Sequence, residues 1–214
     1  MNCVQYDMFV TPVWEAQTDY TKDLIFKQDY SMFSGVSIIS ENIHTKFYGS
    51  TKDEDRVKNL SIARNKTVEA NNFLDEADYV LVIDIDVEFK MPAVGKILNF
   101  KNLEPNFDIV AAATLRKRVL YDQWATREGP EYDKAIQENF EEYRKLPYKK
   151  YYSVSSGFCL YKAEAFKDGA RWNYINYVTG NPDCEMVVVC QDFSKRGYNN
   201  IYMMHEAEMF HNHK

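Results

Sequence analysis

The sequence predicts a single α/β domain with a mostly parallel central sheet and helices on both faces. Its 214 residues are close to the size of one domain, for which about 150 residues is typical. Between residues 8 and 113, short apolar segments alternate with amphipathic ones, the order expected of alternating strands and helices. Residues 79–85 form a nearly continuous apolar run, broken only by Asp84, as in a strand covered on both faces.

The individual elements of residues 8–113 follow from local patterns. Small or apolar residues spaced three and four apart, from Leu60 to Leu74, predict a helix that begins near Asp53. Pro92 is suited to the first turn of a further helix. The predicted order is strand 8–13, helix 18–33, strand 35–40, the helix from residue 53, strand 79–85, helix 92–98 and strand 108–113.

The pattern is less regular in the second half of the chain. Residues 115–150 are rich in charged and aromatic side chains and predict at most a surface helix over 133–145. Beyond them the predicted elements are strands 151–154 and 158–162, helix 184–196 and strand 201–204. There is no internal repeat and no linker rich in Gly, Ser or Pro, so we predict one domain.

Composition excludes several classes of protein. The net charge of −6 argues against general binding to nucleic acid, which needs a positive field. No apolar run approaches the ~20 residues of a membrane span, and the N-terminal segment lacks the pattern of a signal peptide. The four cysteines have no metal-type spacing and are interpreted as reduced thiols of a cytoplasmic protein.

Two aspartates stand where the apolar strand 79–85 ends. Asp84 and Asp86 are two residues apart, so in an extended chain they project to the same side with Cα atoms ~7 Å apart. Ligands of open α/β sheets bind at the carboxyl ends of strands, and a divalent cation would relieve the repulsion between two carboxylates there. Solvated or helix-capping carboxylates are the structural alternative.

Arg64 lies one helical turn after Leu60 and therefore borders the core-facing stripe of its predicted helix. An arginine in that position can reach a carboxylate or a ligand at the strand ends. The alternative is an exposed arginine that pairs with a neighbour such as Glu69.

These motifs carry a resemblance. Ala-Arg-Asn at 63–65 followed by Asp-x-Asp at 84–86 resembles the nucleotide-sugar glycosyltransferases of the GT-A fold, a Rossmann-like α/β fold. Residues 154–172 and 181–198, and the segment that ends at His211, are similar to the yeast mannan-polymerase mannosyltransferases. Residues 121–124 partly match the Tyr-Asp-x-x-Trp element of that family. The chain also resembles glycosyltransferase domains of large chlorella viruses, which would place it in the host cytoplasm.

The resemblance implies a donor site and a metal site. Residues implied to bind the nucleotide sugar are Thr11, Arg64, Asp84, Ile85, Asp86, Ser156 and Gly157. Residues implied to bind Mn²⁺ or Mg²⁺ are Asp84, Asp86 and His211.

The resemblance also implies an acceptor site and a division of the chain. Tyr121, Asp122 and Trp124 would contact the acceptor or the sugar, and Asp183 and Glu185 would be the catalytic carboxylates. Residues 8–113 would form the nucleotide-binding half and residues 114–214 the sugar and acceptor half.

The predicted function is that of a metal-dependent glycosyltransferase. It would move a hexose or deoxyhexose from a nucleotide sugar, with UDP preferred, to a glycan acceptor with retention of configuration. We expect the chain to be part of a longer multidomain protein. Two alternatives remain open, a haloacid-dehalogenase-type phosphatase that uses Asp84 and Asp86, and a sugar-binding module without catalysis.

Overall fold

The computed structural model describes most of the chain after residue 49. The described residues are 50, 52–70, 74–84, 87–88, 90–116, 119–131, 142, 144–155 and 157–211. The elements predicted before residue 50, and most of the predicted surface helix 133–145, lie outside them. None of the described helices is long and apolar enough to cross a membrane.

The described part of the chain contains four α-helices, one 3₁₀ turn and seven strands. In order they are α1 (Glu54–Glu69), β1 (Tyr79–Ile83), β2 (Val87–Glu88), α2 (Met91–Leu98), a 3₁₀ turn (Phe100–Asn102), β3 (Ile109–Arg116), β4 (Val119–Leu120), β5 (Tyr148–Lys150), β6 (Phe158–Lys162), α3 (Ala163–Lys167), α4 (Glu185–Lys195) and β7 (Ile201–His211).

All seven described strands belong to one sheet. The order is β1-β6-β3-β7-β2, with β4 paired to β3 and β5 paired to β7. The α/β class is therefore confirmed. The pairing itself is mixed, because β3 and β7 pair in parallel whereas every other described pair is antiparallel. Strands β1 and β3 still point the same way, since β6 lies between them and runs opposite to both.

Both faces of the sheet are covered, as the apolar run of β1 predicts. Val80 and Val82 belong to a buried cluster that contains residues of α1, α3 and α4. Leu81 and Ile83 point the other way, into a second cluster with residues of α2. Successive strand residues face opposite sides, so a strand with helices on both sides needs apolar residues throughout.

Helix α1 begins where the sequence predicts and ends earlier. Asp53 is the N-cap, and its Oδ1 accepts a hydrogen bond from the backbone N–H of Arg56 at 3.3 Å. The helix ends at Glu69, although the apolar spacing continues to Leu74.

The prediction of a strand over residues 151–154 is wrong. The strand in this region, β5, lies just before that range, over Tyr148–Lys150, because these are the residues that pair with β7.

Strand β7 is longer than predicted and carries a large bulge. Ala112 of β3 pairs with Met204, but the next residue, Ala113, pairs with Glu208. Within the bulge, the carbonyl of Pro147 accepts a hydrogen bond from the N–H of His205 at 2.9 Å. Beyond the bulge the strand continues to His211, which lies opposite Val87 of β2.

Candidate active site

The centre of the site is an arginine between two carboxylates. Arg64 projects from α1, and its Nη2 donates to Oδ1 of Asp84 at the end of β1 at 3.0 Å. Its Nε lies 3.5 Å from Oε1 of Glu185, in the first turn of α4. The structure thus brings together three residues that the sequence singled out separately, and it favours the ligand-side interpretation of Arg64 over an exposed pair with Glu69.

Arg64 is buried, with 6% of its surface exposed. Burial opposes its charge, but the nearby carboxylates of Asp84 and Glu185 outweigh that cost and raise the pKa of Arg64 above its usual value. The guanidinium therefore stays charged. Its Nε is buried without a hydrogen-bond partner among the described residues.

Gly157 lies against the end of β1. Its carbonyl accepts a hydrogen bond from the N–H of Asp84 at 2.7 Å. The residue has a φ of +70°, and a Cβ here would lie 2.7 Å from Val87 Cγ2 and 3.1 Å from Asp84 Oδ2. Only glycine fits both the backbone conformation and the space. Its predicted neighbour in the donor site, Ser156, lies outside the described residues.

The predicted metal ligands are only partly described. The side chain of Asp84 is 20% exposed, whereas Asp86 and its neighbour Ile85 lie outside the described residues, as does Thr11. For His211 the backbone is described and the side chain is not. No cluster of three His, Cys, Asp or Glu side chains suited to a metal occurs within the described part of the chain.

The backbone register is nevertheless compatible with a shared metal site. Val87, which follows Asp86 directly in the chain, is paired with His211. Two carboxylates and one imidazole are a donor set that suits Mn²⁺, and the carboxylates alone suit Mg²⁺. By donor chemistry alone, these residue types are therefore suited to a divalent cation.

Residues 121–125 form a turn after β4 that approaches the same carboxylates. The N–H of Tyr121 donates to the carbonyl of Thr114 at 2.8 Å, which fixes the start of the turn on β3. Burial and the negative charges of Glu185 and Asp84, partly offset by a hydrogen bond with Ser155, raise the pKa of Asp122 to about 6. Asp122 therefore interacts electrostatically with Asp84 and Glu185, the two carboxylates that flank Arg64.

Asp183 is held by four hydrogen bonds. Its Oδ2 accepts from Arg127 Nη1 at 2.8 Å and from Asn176 Nδ2 at 2.7 Å. Its Oδ1 accepts from Arg127 Nη2 at 2.6 Å and from the N–H of Cys184 at 2.8 Å. Burial disfavours the charge, but the hydrogen bonds from Arg127 and Asn176 outweigh it and hold the pKa of Asp183 below its usual value. An ionised carboxylate has about four acceptor sites, so all of them are used.

A cleft of about 360 Å³ joins the turn to the segment before α4. Its lining residues are Lys52, Val57, Trp124, Thr179, Asn181, Pro182 and Asp183. Trp124, a predicted acceptor residue, and Asp183, a predicted catalytic residue, therefore line the same cleft. Lys52 Nζ lies 5.8 Å from the centroid of the Trp124 ring.

Arg127 and Asn176 hold Asp183 in place, but no pattern in the sequence identified either of them as a site residue. Both are 0% exposed. Arg127 lies in the segment without a regular pattern, and a lone arginine there gives no sign of being buried. No sequence signal links it to Asp183, which is 56 residues away.

No protein-family model matches the sequence, and no curated protein is significantly similar to it. Solved structures do match. The structure of GalNAc-T7 with UDP, GalNAc and Mn²⁺ aligns with a TM-score of 0.60 at 9% identity, over 99% of this chain and 44% of that one. The fold is the GT-A glycosyltransferase fold.

Two further structures align with the chain. The mannosyltransferase PcManGT from Pyrobaculum calidifontis, in complex with GDP-Man and Mn²⁺, has a TM-score of 0.54 at 10% identity, over 96% of this chain and 55% of that one. A197 from STIV has a TM-score of 0.54 at 13% identity, over 99% of this chain and 87% of that one. The chain therefore spans 44% of the length of GalNAc-T7 and 55% of the length of PcManGT, or about half in each case. The GT-A fold is the one that the resemblance of the sequence motifs implies.

Proposed function

We propose that this chain is a metal-dependent, retaining glycosyltransferase that moves a hexose or deoxyhexose from a UDP-sugar to a glycan acceptor. The observation that carries the proposal is the Arg64 centre, where an arginine from α1 meets Asp84 and Glu185 at the carboxyl end of β1. It lies in a fold shared with a structure that holds UDP, GalNAc and Mn²⁺ and with one that holds GDP-Man and Mn²⁺. We further propose that the chain is cytoplasmic and part of a longer protein.

The proposed metal and donor site is built around Asp84. The carboxylates of Asp84 and Asp86 and the imidazole of His211 would hold Mn²⁺ or Mg²⁺. When bound, the ion would neutralise charge on the diphosphate of the donor. Arg64 orients Asp84 through the hydrogen bond that its Nη2 donates to Oδ1. Thr11, Ile85, Ser156 and Gly157 would contact the nucleotide sugar, as the resemblance implies.

The environment of Asp183 and Glu185 supports retention of configuration. An inverting enzyme needs a carboxylate that can take the proton of the acceptor hydroxyl. Asp183 already accepts four hydrogen bonds, and Glu185 is buried beside Arg64. Neither would therefore act as that base, and the leaving diphosphate would take the proton. Asp183 would act by fixing the wall of the cleft through its hydrogen bonds, and Glu185 would orient the donor sugar. Tyr121, Asp122 and Trp124 would contact the acceptor or the transferred sugar.

A thermal-shift panel of nucleoside diphosphates and nucleotide sugars, with Mn²⁺ or with EDTA, tests this proposal. A ligand at 100 times its Kd adds about 2.7 kcal/mol of stability. We expect UDP and UDP-sugars to raise the Tm in Mn²⁺ and not in EDTA. Equal shifts in EDTA, or none with any nucleotide, would contradict the proposal. Release of free sugar from the bound donor then distinguishes an enzyme from a sugar-binding module.

A further inference from the structure

The loop of residues 176–182 is held in one shape by the side chain of Asn176. The Oδ1 of Asn176 accepts from the backbone N–H groups of Val178 at 2.8 Å and Thr179 at 3.1 Å. Its backbone also closes the loop, because its N–H donates to the carbonyl of Asn181 at 2.9 Å. Within the loop, Gly180 has a φ of +72°, a conformation that glycine adopts without strain.

A buried polar network fastens this loop to the rest of the site. Gln191 of α4 donates through Nε2 to Asn176 Oδ1 at 3.0 Å and accepts from the N–H of Tyr177 at 2.9 Å. The Nδ2 of Asn176 donates to Asp183, which Arg127 holds from the other side. Fully satisfied buried networks of this kind rigidify the segment they support. The 176–182 loop is therefore preformed.

The loop presents polar groups to the cleft opposite an aromatic ring. Thr179, Asn181 and Pro182 are exposed and line the cleft together with Trp124. A hydroxyl, a carboxamide and an indole ring are groups that suit a sugar, whose C–H face packs on an aromatic ring while its hydroxyls make hydrogen bonds. The Lys52 ammonium lines the same cleft and lies over one face of the indole, 5.8 Å from the ring centroid. Asp183 also lines the cleft, but its four acceptor sites are already occupied.

We propose that the 176–182 loop recognises the acceptor, which is a neutral hexose unit bound between Trp124 and the side chains of Thr179 and Asn181. This proposal rests on the proposed function, and it assigns acceptor specificity to Thr179 and Asn181, which neither the motifs nor the fold single out. Asn176 is a positioning residue, because it sets the loop without reaching the cleft itself.

The test uses methyl glycosides of mannose, galactose and glucose as probes. Their binding to the whole chain is measured by saturation-transfer NMR, and the binding of UDP with Mn²⁺ is measured separately by calorimetry. We expect at least one methyl hexoside to bind. Asn181→Ala should weaken it by up to about tenfold, the loss expected for one hydrogen bond, and Thr179→Ala should act in the same direction. The affinity for UDP should be unchanged.

Val178→Ala is the matched control, since Val178 is 59% exposed in the same loop and does not line the cleft. It should bind the hexoside and UDP as the unmodified chain does. The proposal is overturned if no methyl hexoside binds, or if Asn181→Ala binds the hexoside with unchanged affinity. Failure of UDP to bind in Mn²⁺ while the hexoside still binds would instead count against the glycosyltransferase proposal.

Discussion

Arg127 and Asp183 form a two-pronged ion pair, with nitrogen–oxygen distances of 2.8 and 2.6 Å. The arginine side chain has no exposed surface. The pair connects the irregular segment after β4 to the segment that precedes α4. It thereby places the turn that carries Trp124 next to the 176–182 loop, and it determines the shape of the cleft.

Replacing Arg127 by methionine should strongly destabilise the chain. It would leave Asp183 partly buried without its cation, a change that costs about 3–5 kcal/mol for buried pairs. The free energy of unfolding from urea titrations measures the effect. Arg116→Met, at an exposed position, is the control and should change stability by less than about 0.5 kcal/mol. A similarly small loss in Arg127→Met would mean that the pair contributes little.

The pH dependence of stability should change in Asp183→Asn. Since the folded-state pKa of Asp183 lies below its usual value, the charged pair stabilises the fold above the unfolded pKa of about 3.9. That stabilisation is lost as the pH falls through the folded-state pKa. Unfolding free energies measured between neutral and acidic pH should therefore fall more steeply for the unmodified chain than for Asp183→Asn. Parallel curves would contradict this interpretation.

Asp122 should contribute the opposite pH dependence. Burial and the nearby Glu185 and Asp84 raise its folded-state pKa to about 6, above the unfolded value of about 3.9. Its contribution is therefore fully present below the unfolded pKa and is lost as the pH rises to about 6. In EDTA, we expect Asp122→Asn to gain stability relative to the unmodified chain over this range. The exposed Asp75→Asn should show no such gain, and equal behaviour of the two variants would refute the assignment.

Asp86→Asn should abolish metal-dependent binding of the donor. The amide lacks the charge that a divalent cation needs, so the link between the protein and the diphosphate is lost. Calorimetry with UDP and Mn²⁺ measures the effect, and Asp75→Asn again serves as the control. Donor affinity in Asp86→Asn equal to that of the unmodified chain would move the metal site elsewhere.

The first-formed product should have the same anomeric configuration as the donor. NMR of that product, recorded before any mutarotation of the free sugar, decides this. Amide substitution of Glu185 should slow transfer while leaving the affinities for the donor and Mn²⁺ nearly unchanged. A product of the opposite anomer would overturn the retaining assignment. In that case Asp122, whose pKa is about 6, would become the preferred candidate for the catalytic base.

Several parts of the fold were predictable from local patterns alone. The spacing from Leu60 onwards placed Arg64 on the core-facing side of α1, and the apolar run of β1 placed Asp84 at a strand end. The structure confirms both positions and joins the two side chains by a hydrogen bond. Such features are predictable because helix and strand periods act over a few residues.

The sequence by itself thus determined the α/β class, the helix that carries Arg64 and the strand that ends at Asp84. Only the tertiary structure decided the opposite direction of β6, the extension of β7 to His211 and the four hydrogen bonds that engage Asp183. The physical reason is the separation along the chain over which each kind of interaction acts. Periodicity is set by neighbours along the chain, whereas Arg127 and Asp183 are 56 residues apart and meet only because the folded sheet and α4 bring their backbones together.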